Sequence, residues 1–337
     1  MGIIAKTFER NRVFLAPMSG VTDEPFRALA HELGAGLVFS EMVASEELVR
    51  QRPDMVRRAR GAGRISPLVV QLAGREARWM AEGARVAQDL GAEIIDINMG
   101  CPAREVTGGL SGSALMRDLD HAQKLIEATI AAATVPVTVK MRLGWDDAQR
   151  NAPELARRAQ ASGAAMITVH GRTRCQFYKG RADWRAIRDV RGAIQIPLIA
   201  NGDLASAADA RLMLQESGAD GLMIGRGAYG RPWAPAVIAE ALREGSGRAM
   251  PTLEEQGAIV LRHYESMLSH YGSALGQRNA RKHLGWYVED LRARNHLTGE
   301  QARSWRQALM AAGRPAAVCD VIRRLYDAVC DQRQEAA

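Results

Sequence analysis

The chain has few cysteines, and those few are scattered. Cys101, Cys175, Cys319 and Cys330 form no C-x-x-C pair, so neither a disulfide framework nor a zinc site is expected. No run of about 18 apolar residues occurs, and no membrane span is expected. The first residues, MGIIAKTFERNR, also lack a long apolar stretch. No signal peptide is read there, and the expected compartment is a reducing cytoplasm. A chain of 337 residues, 47% hydrophobic and 25% charged, has the composition of a globular protein and can bury a large core without disulfides. The net charge is +7. That suits a modestly basic enzyme or a protein with a polyanionic partner, and the position of the charge has to decide.

Two patterns alternate along the chain. The first is Gly-Ala followed by an apolar run: LGAGLVFSE from Leu33, LGAEIIDIN from Leu90, SGAAMITVH from Ser162 and SGADGLMIG from Ser217. Each reads as a helix closed by a glycine cap and passing directly into a buried strand. The second is a proline, three mostly apolar residues and a polar one: PLVVQ, PVTVK and PLIAN, starting at Pro67, Pro136 and Pro197. Proline suits the first residue of a strand, where no ladder donor is lost. With VFLAPM these make eight strands, ending near residues 18, 41, 71, 98, 140, 170, 201 and 225. Amphipathic stretches lie between them. Near-continuously apolar strands alternating with helices imply a parallel sheet covered on its outer face. Eight units point to a (β/α)8 TIM barrel over residues 1–245, with a doubly wound sheet as the alternative.

The C-terminal ends of barrel strands form one face, where active sites lie. Glu41, Gln71, Asn98, Lys140, His170 and Asn201 would converge there. Strand ends can be polar simply because loops begin, but six such groups favour a site. Beyond the barrel, residues 241–252 read as a linker. Thr252-x-x-Glu255 and Thr298-x-x-Gln301 read as capping boxes. Residues 253–335 are expected to form a small α-helical domain.

GRGAYG, Gly225 to Gly230, matches G-x-G-x-x-G, a weak dinucleotide signal on its own. It follows the last strand, so no βαβ unit remains to carry a ribose-binding acid. Phosphate binding by the loops after strands seven and eight is the better reading. Asn201, Gly202 and Asp203 supply one loop and Gly225 and Arg226 the other, with Arg226 as a charged donor. Lys140 ends strand five beside that site. A flavin mononucleotide (FMN) fits, because the lysine's charge favours an anionic reduced ring. Gln71 and His170 would bond the ring edge or ribityl chain. Cys101 opens a glycine-rich loop at the same face. No cysteine nearby in sequence supports a metal ligand, and no metal is expected. An ordinary thiol is mostly protonated at neutral pH, and these residues alone leave nucleophile and acid both open.

Several blocks together carry a resemblance: APMSGVTDEPFR (Ala16–Arg27), INMGCPAREV (Ile97–Val106), VHGRTR (Val169–Arg174), IANGD (Ile199–Asp203) and IGRGAYGRPW (Ile224–Trp233). In order and over nearly the whole chain they resemble the tRNA-dihydrouridine synthases. RNARKHLGWY (Arg278–Tyr287) resembles the bacterial B branch. Ser19 is a small departure, standing where the family pattern has alanine. The resemblance implies an FMN barrel with a helical tRNA-binding domain, reduced by NADPH. It also implies a uridine turned out of the tRNA, hydride transfer from the flavin to uracil C6, and a cysteine thiol that protonates C5. Cys101 matches that cysteine, a general acid. Asn98 matches a uracil contact. Pro17, Met18, Ser19, Gln71, Lys140, His170, Asn201, Gly202, Asp203, Gly225 and Arg226 match the cofactor site.

Three clusters then supply the charge. Residues 50–64 hold six arginines and one acid, residues 172–191 seven Lys/Arg and two acids, and residues 278–314 eight Lys/Arg and three acids, each a net of +5. The first two are expected to rim the mouth and the third to lie in the helical domain, holding the tRNA backbone between them. Arg172, Arg174, Arg278, Arg281 and Lys282 are the candidate substrate contacts, with Arg281 and Lys282 first for phosphates. The chain is expected to act as a monomer. Three rival readings remain. One is a dihydroorotate-dehydrogenase-like FMN barrel acting on a small molecule. Another is a flavin-free lyase using Lys140 as a Schiff base. The third is an RNA-binding protein with an inert barrel.

Overall fold

The computed structural model describes residues 2–61, 63–243 and 250–335. Of the expected linker, residues 244–249 lie outside the described residues. The strands are β1 Val13–Leu15, β2 Val43–Ala44, β3 Val69–Ala73, β4 Ile94–Met99, β5 Val137–Arg142, β6 Met166–His170, β7 Leu198–Asn201 and β8 Gly221–Ile224. All pair in parallel, in the order β1-β8-β7-β6-β5-β4-β3-β2. Residues 38 and 39 close the ring. Val38 bridges Leu15 of β1 and Phe39 bridges Val69 of β3. The fold is a (β/α)8 barrel.

The Gly-Ala pattern closes its helices as expected. Gly34, Gly91, Gly163 and Gly218 all have positive φ, from 65° to 103°. In the first three, the N–H of the following alanine reaches back five residues: Ala35 to the Ala30 carbonyl, Ala92 to Ala87 and Ala164 to Ala159. That bond defines a Schellman cap and turns the chain from helix into strand without a loop.

The strand ends differ from expectation in two places. The first strand stops at Leu15 rather than near residue 18, because Pro17 has no N–H and the Met18 N–H turns to Thr22 Oγ1 (2.8 Å). The second was expected to run to Glu41. Ser40 interrupts it by donating to the Glu41 carbonyl (2.7 Å) and accepting the Gln71 N–H (2.9 Å). A side chain thus occupies the place of a ladder carbonyl, and pairing resumes only at Val43.

The barrel interior is apolar at the N-terminal side and polar above it. Phe14, Phe39, Val69, Ile94, Met166 and Ile199 pack together there. Each such side chain contributes about 1.5–3 kcal/mol by leaving water. Two residues further along their strands lie Gln71, Asp96 and Thr168, all fully buried.

Four helices follow, Leu253–Tyr271, Ser273–Ala293, Gly299–Ala311 and Pro315–Glu335. Both expected capping boxes are formed. These helices share an apolar core that also takes in Leu29 and Trp233 from the barrel. The third glycine of GRGAYG serves this junction. Gly230 has φ 67°, and a Cβ there would lie 2.3 Å from the Trp286 carbonyl. Beside it Tyr229 stacks on Trp286 at 3.9 Å. Among the described residues, no helix is long and apolar enough to cross a membrane.

Candidate active site

A cavity of about 520 Å³ opens at the C-terminal ends of the strands. Every expected cofactor residue borders it: Pro17, Met18 and Ser19 after β1, Gln71, Lys140, His170, the Asn201–Asp203 turn, and Gly225 and Arg226. Asn98, Cys101 and Arg172 border it too. Strand register explains the convergence. Asn98 lies opposite Lys140, and His170 lies between Arg142 and Asn201.

The loops after β7 and β8 touch. A Cβ on Gly227 would sit 2.2 Å from the Leu204 carbonyl, so only glycine permits the approach. Asp203 ties this wall together. It accepts from Arg172 Nη2 (2.6 Å) and the Ala182 N–H (2.8 Å), with Arg226 at 3.4 Å. Arg172 is 1% exposed. It also donates to the Lys179 and Gly180 carbonyls and meets His170 Nε2 at 3.3 Å. Its donors are therefore engaged with the wall of the cavity.

Lys140 donates to Asn201 Oδ1 (3.2 Å), and Asn201 Nδ2 donates to the Met223 carbonyl (2.8 Å). Burial, reinforced by the Arg142 charge, lowers the Lys140 ammonium to a pKa of about 8. Burial also holds His170 well below its ordinary value, helped by Arg142, Lys140, Arg172 and Arg226. The imidazole is neutral. Cationic groups, glycine turns and the apolar side of Pro17, Met18 and Met42 fit a phosphorylated, partly anionic aromatic ligand such as FMN.

Cys101 sits just past β4. Its N–H donates to Asn98 Oδ1 (3.0 Å), and its carbonyl accepts from Ser113 Oγ (2.9 Å). Burial raises the thiol pKa, against the Ala103 N–H and the charges of Arg142 and Lys140. A thiol shifted this way stays protonated at neutral pH, which suits an acid better than a nucleophile.

Sequence patterns passed over three groups at the site. Arg142, 1% exposed, donates to the carbonyls of Gly100, Thr173 and Phe177, each at 2.8 Å. It lies two residues past Lys140 in the same strand, so the period of two could have flagged it. Asp96 interrupts the apolar run IIDIN and is fully buried. Tyr178, 53% exposed, lies under both Arg142 and Arg226. It sits on an irregular loop, where no pattern marks it.

The basic candidates divide. Arg174 stays outside the cavity lining, where it stacks on Trp145 and Phe177 and donates to Thr107 Oγ1 (3.3 Å), clamping the loop that follows Cys101. Arg278, Arg281 and Lys282 are exposed on the helix Ser273–Ala293. Lys282 shares a groove with Arg57 and Arg58, so the first and third basic clusters meet. The second cluster does not rim the mouth as a unit. Arg185 pairs with Glu216, Arg188 binds the Glu216 carbonyl and Arg191 pairs with Asp220. The helix Ile187–Ala193 carries the chain back toward the strand starts, and Arg188 and Arg191 go with it.

A family model described as dihydrouridine synthase (Dus) matches residues 14–328. The chain is 61% identical over 280 residues to a probable tRNA-dihydrouridine synthase of Rhizobium leguminosarum bv. phaseoli, covering 83% of this chain and 86% of that protein. It is 44% identical over 318 residues to tRNA-dihydrouridine synthase B of Xanthomonas axonopodis pv. citri, covering 94% and 93%. A solved structure of a morphinone reductase variant shares the fold, with a TM-score of 0.51 and 15% identity over 68% of this chain and 86% of that one. The chain belongs to the dihydrouridine synthase family.

Proposed function

We propose that the protein reduces specific uridines of tRNA to dihydrouridine, using FMN and NADPH. The observation that carries the chemistry is Cys101, a thiol kept protonated by burial at the rim of a cationic cavity. When bound, reduced FMN supplies hydride to uracil C6. The chain's own residues do the rest. The turns Asn201–Asp203 and Gly225–Arg226 would hold the phosphate. Pro17, Met18, Ser19, Gln71, Lys140 and His170 would hold the ring and the ribityl chain. Lys140 offers positive charge to an anionic ring, while neutral His170 adds none. Asn98 contacts the uracil. Cys101 gives its proton to C5 as the C5–C6 double bond is lost, which is general acid catalysis.

The family match over residues 14–328 leaves the flavin-free lyase and the inert barrel without support. The tRNA backbone would lie where Arg57 and Lys282 face one groove, with Arg278 and Arg281 on the same helix as Lys282. Residues 1–245 would form the catalytic domain and 253–335 the tRNA-binding domain, in a cytoplasmic monomer. The test is incubation of purified protein with NADPH and unmodified tRNA, followed by digestion and mass spectrometry. Uridines about two mass units heavier are expected, the hydride and proton together. Oxidation of NADPH without such nucleosides would point instead to a small-molecule substrate.

A further inference from the structure

Asp96 has no part in the reaction as written, yet a fully buried carboxylate is costly unless its oxygens are hydrogen-bonded. Thr138 Oγ1 donates to Asp96 Oδ1 (2.6 Å), and Gln71 Nε2 donates to Oδ2 (2.7 Å). The chain of bonds then continues. Asn98 Nδ2 donates to Gln71 Oε1 (2.8 Å), and Asn98 Oδ1 accepts the N–H groups of Gly100 (3.2 Å) and Cys101 (3.0 Å). The two ends differ in kind. An ionised carboxylate only accepts, and a backbone N–H only donates. Each amide between them has one accepting and one donating end. The carboxylate therefore fixes Gln71, Gln71 fixes Asn98, and Asn98 presents its oxygen to the start of the Cys101 loop. Turning either amide over would set two donors or two acceptors against each other at both of its ends.

We propose that Asp96 is a positioning residue for Cys101, setting the polarity of the Gln71 and Asn98 amides and through them the placement of the thiol. Its link to catalysis rests on the reading of Cys101 as the acid. Asp96→Asn keeps the shape but no longer fixes the direction. The new amide can keep its oxygen toward Gln71 Nε2, with its Nδ2 on the Thr138 hydroxyl, or it can donate to Gln71 Oε1. In the second state the reversed chain points an Asn98 donor at the Gly100 and Cys101 N–H groups. A second change restores the direction. In Asp96→Asn/Gln71→Glu the carboxylate moves one link along, to position 71. There it accepts from the amide introduced at position 96 and from Asn98 Nδ2, so Asn98 again turns its oxygen to the loop.

The experiment compares holoenzymes of wild type, Asp96→Asn and the double variant. The first readout is alkylation of Cys101 by iodoacetamide, followed by peptide mass mapping so that exposed Cys175 is counted apart. The second is flavin reoxidation by unmodified tRNA in a single turnover. Asp96→Asn is expected to alkylate Cys101 several-fold faster. It should reoxidise about 10²-fold more slowly, the scale of a roughly 1 Å misplacement. The double variant should return to the wild-type alkylation rate. Unchanged alkylation in Asp96→Asn, or no recovery in the double variant, overturns the proposal. So does loss of flavin in both variants, since Asp96 would then serve the cofactor pocket as a whole. If alkylation follows the expected pattern while Cys101→Ala still reduces uridine at the wild-type rate, the positioning stands and the reading of Cys101 as acid fails.

Discussion

Two buried ionisable groups, Lys140 bordering the cavity and Asp96 two residues before Asn98 in the same strand, are shifted in opposite senses. Lys140 is held near pKa 8, chiefly by burial. Below that pH it is a cation, and binding an anionic flavin favours the cation. The affinity of the apoprotein for reduced FMN should therefore weaken as pH rises through about 8, by at most about tenfold per unit from this group. Lys140→Met should remove that dependence. Anaerobic titrations with reduced FMN on either side of pH 8 check it, and an unchanged pH profile in the variant would contradict the role given to the lysine. Asp96 is raised by burial to about 6. Its folded pKa exceeds the unfolded value, so the folded state binds the proton first and this group's contribution to stability rises as pH falls through 6. At neutral pH the ionised form costs the fold on the order of 3 kcal/mol. Asp96→Asn should accordingly be at least as stable as wild type at pH 7, and lose that advantage on acidification below 6. Thermal unfolding at pH 7 and pH 5 measures both. A variant markedly less stable than wild type at pH 7 would mean that the carboxylate supports the fold instead.

At the scale of elements, the junction between barrel and helices depends on close backbone approach. Gly230→Ala places a Cβ 2.3 Å from the Trp286 carbonyl at φ 67°. Both the clash and the left-handed backbone disfavour it, so a loss of about 2 kcal/mol or more is expected in chemical denaturation. A loss near zero would mean that the helices do not need this approach. The same glycine shows what a sequence can and cannot disclose. Its motif was readable, but its neighbour Trp286 lies far along the chain. The Gly-Ala caps and the capping boxes at Thr252 and Thr298 were legible because their bonds are local. The break at Ser40 was not, since it depends on the Gln71 N–H from another strand. Strand-end periodicity brought Gln71, Asn98, Lys140, His170 and Asn201 to one cavity, whereas Glu41, expected with them, lines the groove of Arg57 and Lys282 instead. It did not reveal that Arg172 would be bound up with Asp203, or that Arg188 and Arg191 would leave the mouth along a crossover helix.

At the scale of the whole molecule, the groove shared by Arg57, Arg58 and Lys282 joins basic segments far apart in sequence. Arg281→Glu with Lys282→Glu should weaken tRNA binding and make its salt dependence shallower, by about one unit of slope for each phosphate no longer neutralised. Flavin content should be unchanged, because neither residue borders the cofactor cavity. Filter binding across a salt series measures the first effect and absorbance the second; loss of flavin would refute the assignment of these residues to tRNA. The central claim concerns the thiol that borders the cavity. It is tested most directly by mixing pre-reduced holoenzyme with unmodified tRNA and following flavin reoxidation in a single turnover, wild type beside Cys101→Ala. A fall of about 10²–10⁴-fold in the variant, with equal flavin content and equal tRNA affinity, is the predicted result, being the range for loss of a general acid. Equal rates in the two proteins would contradict it, and the proton would then come from a group other than Cys101.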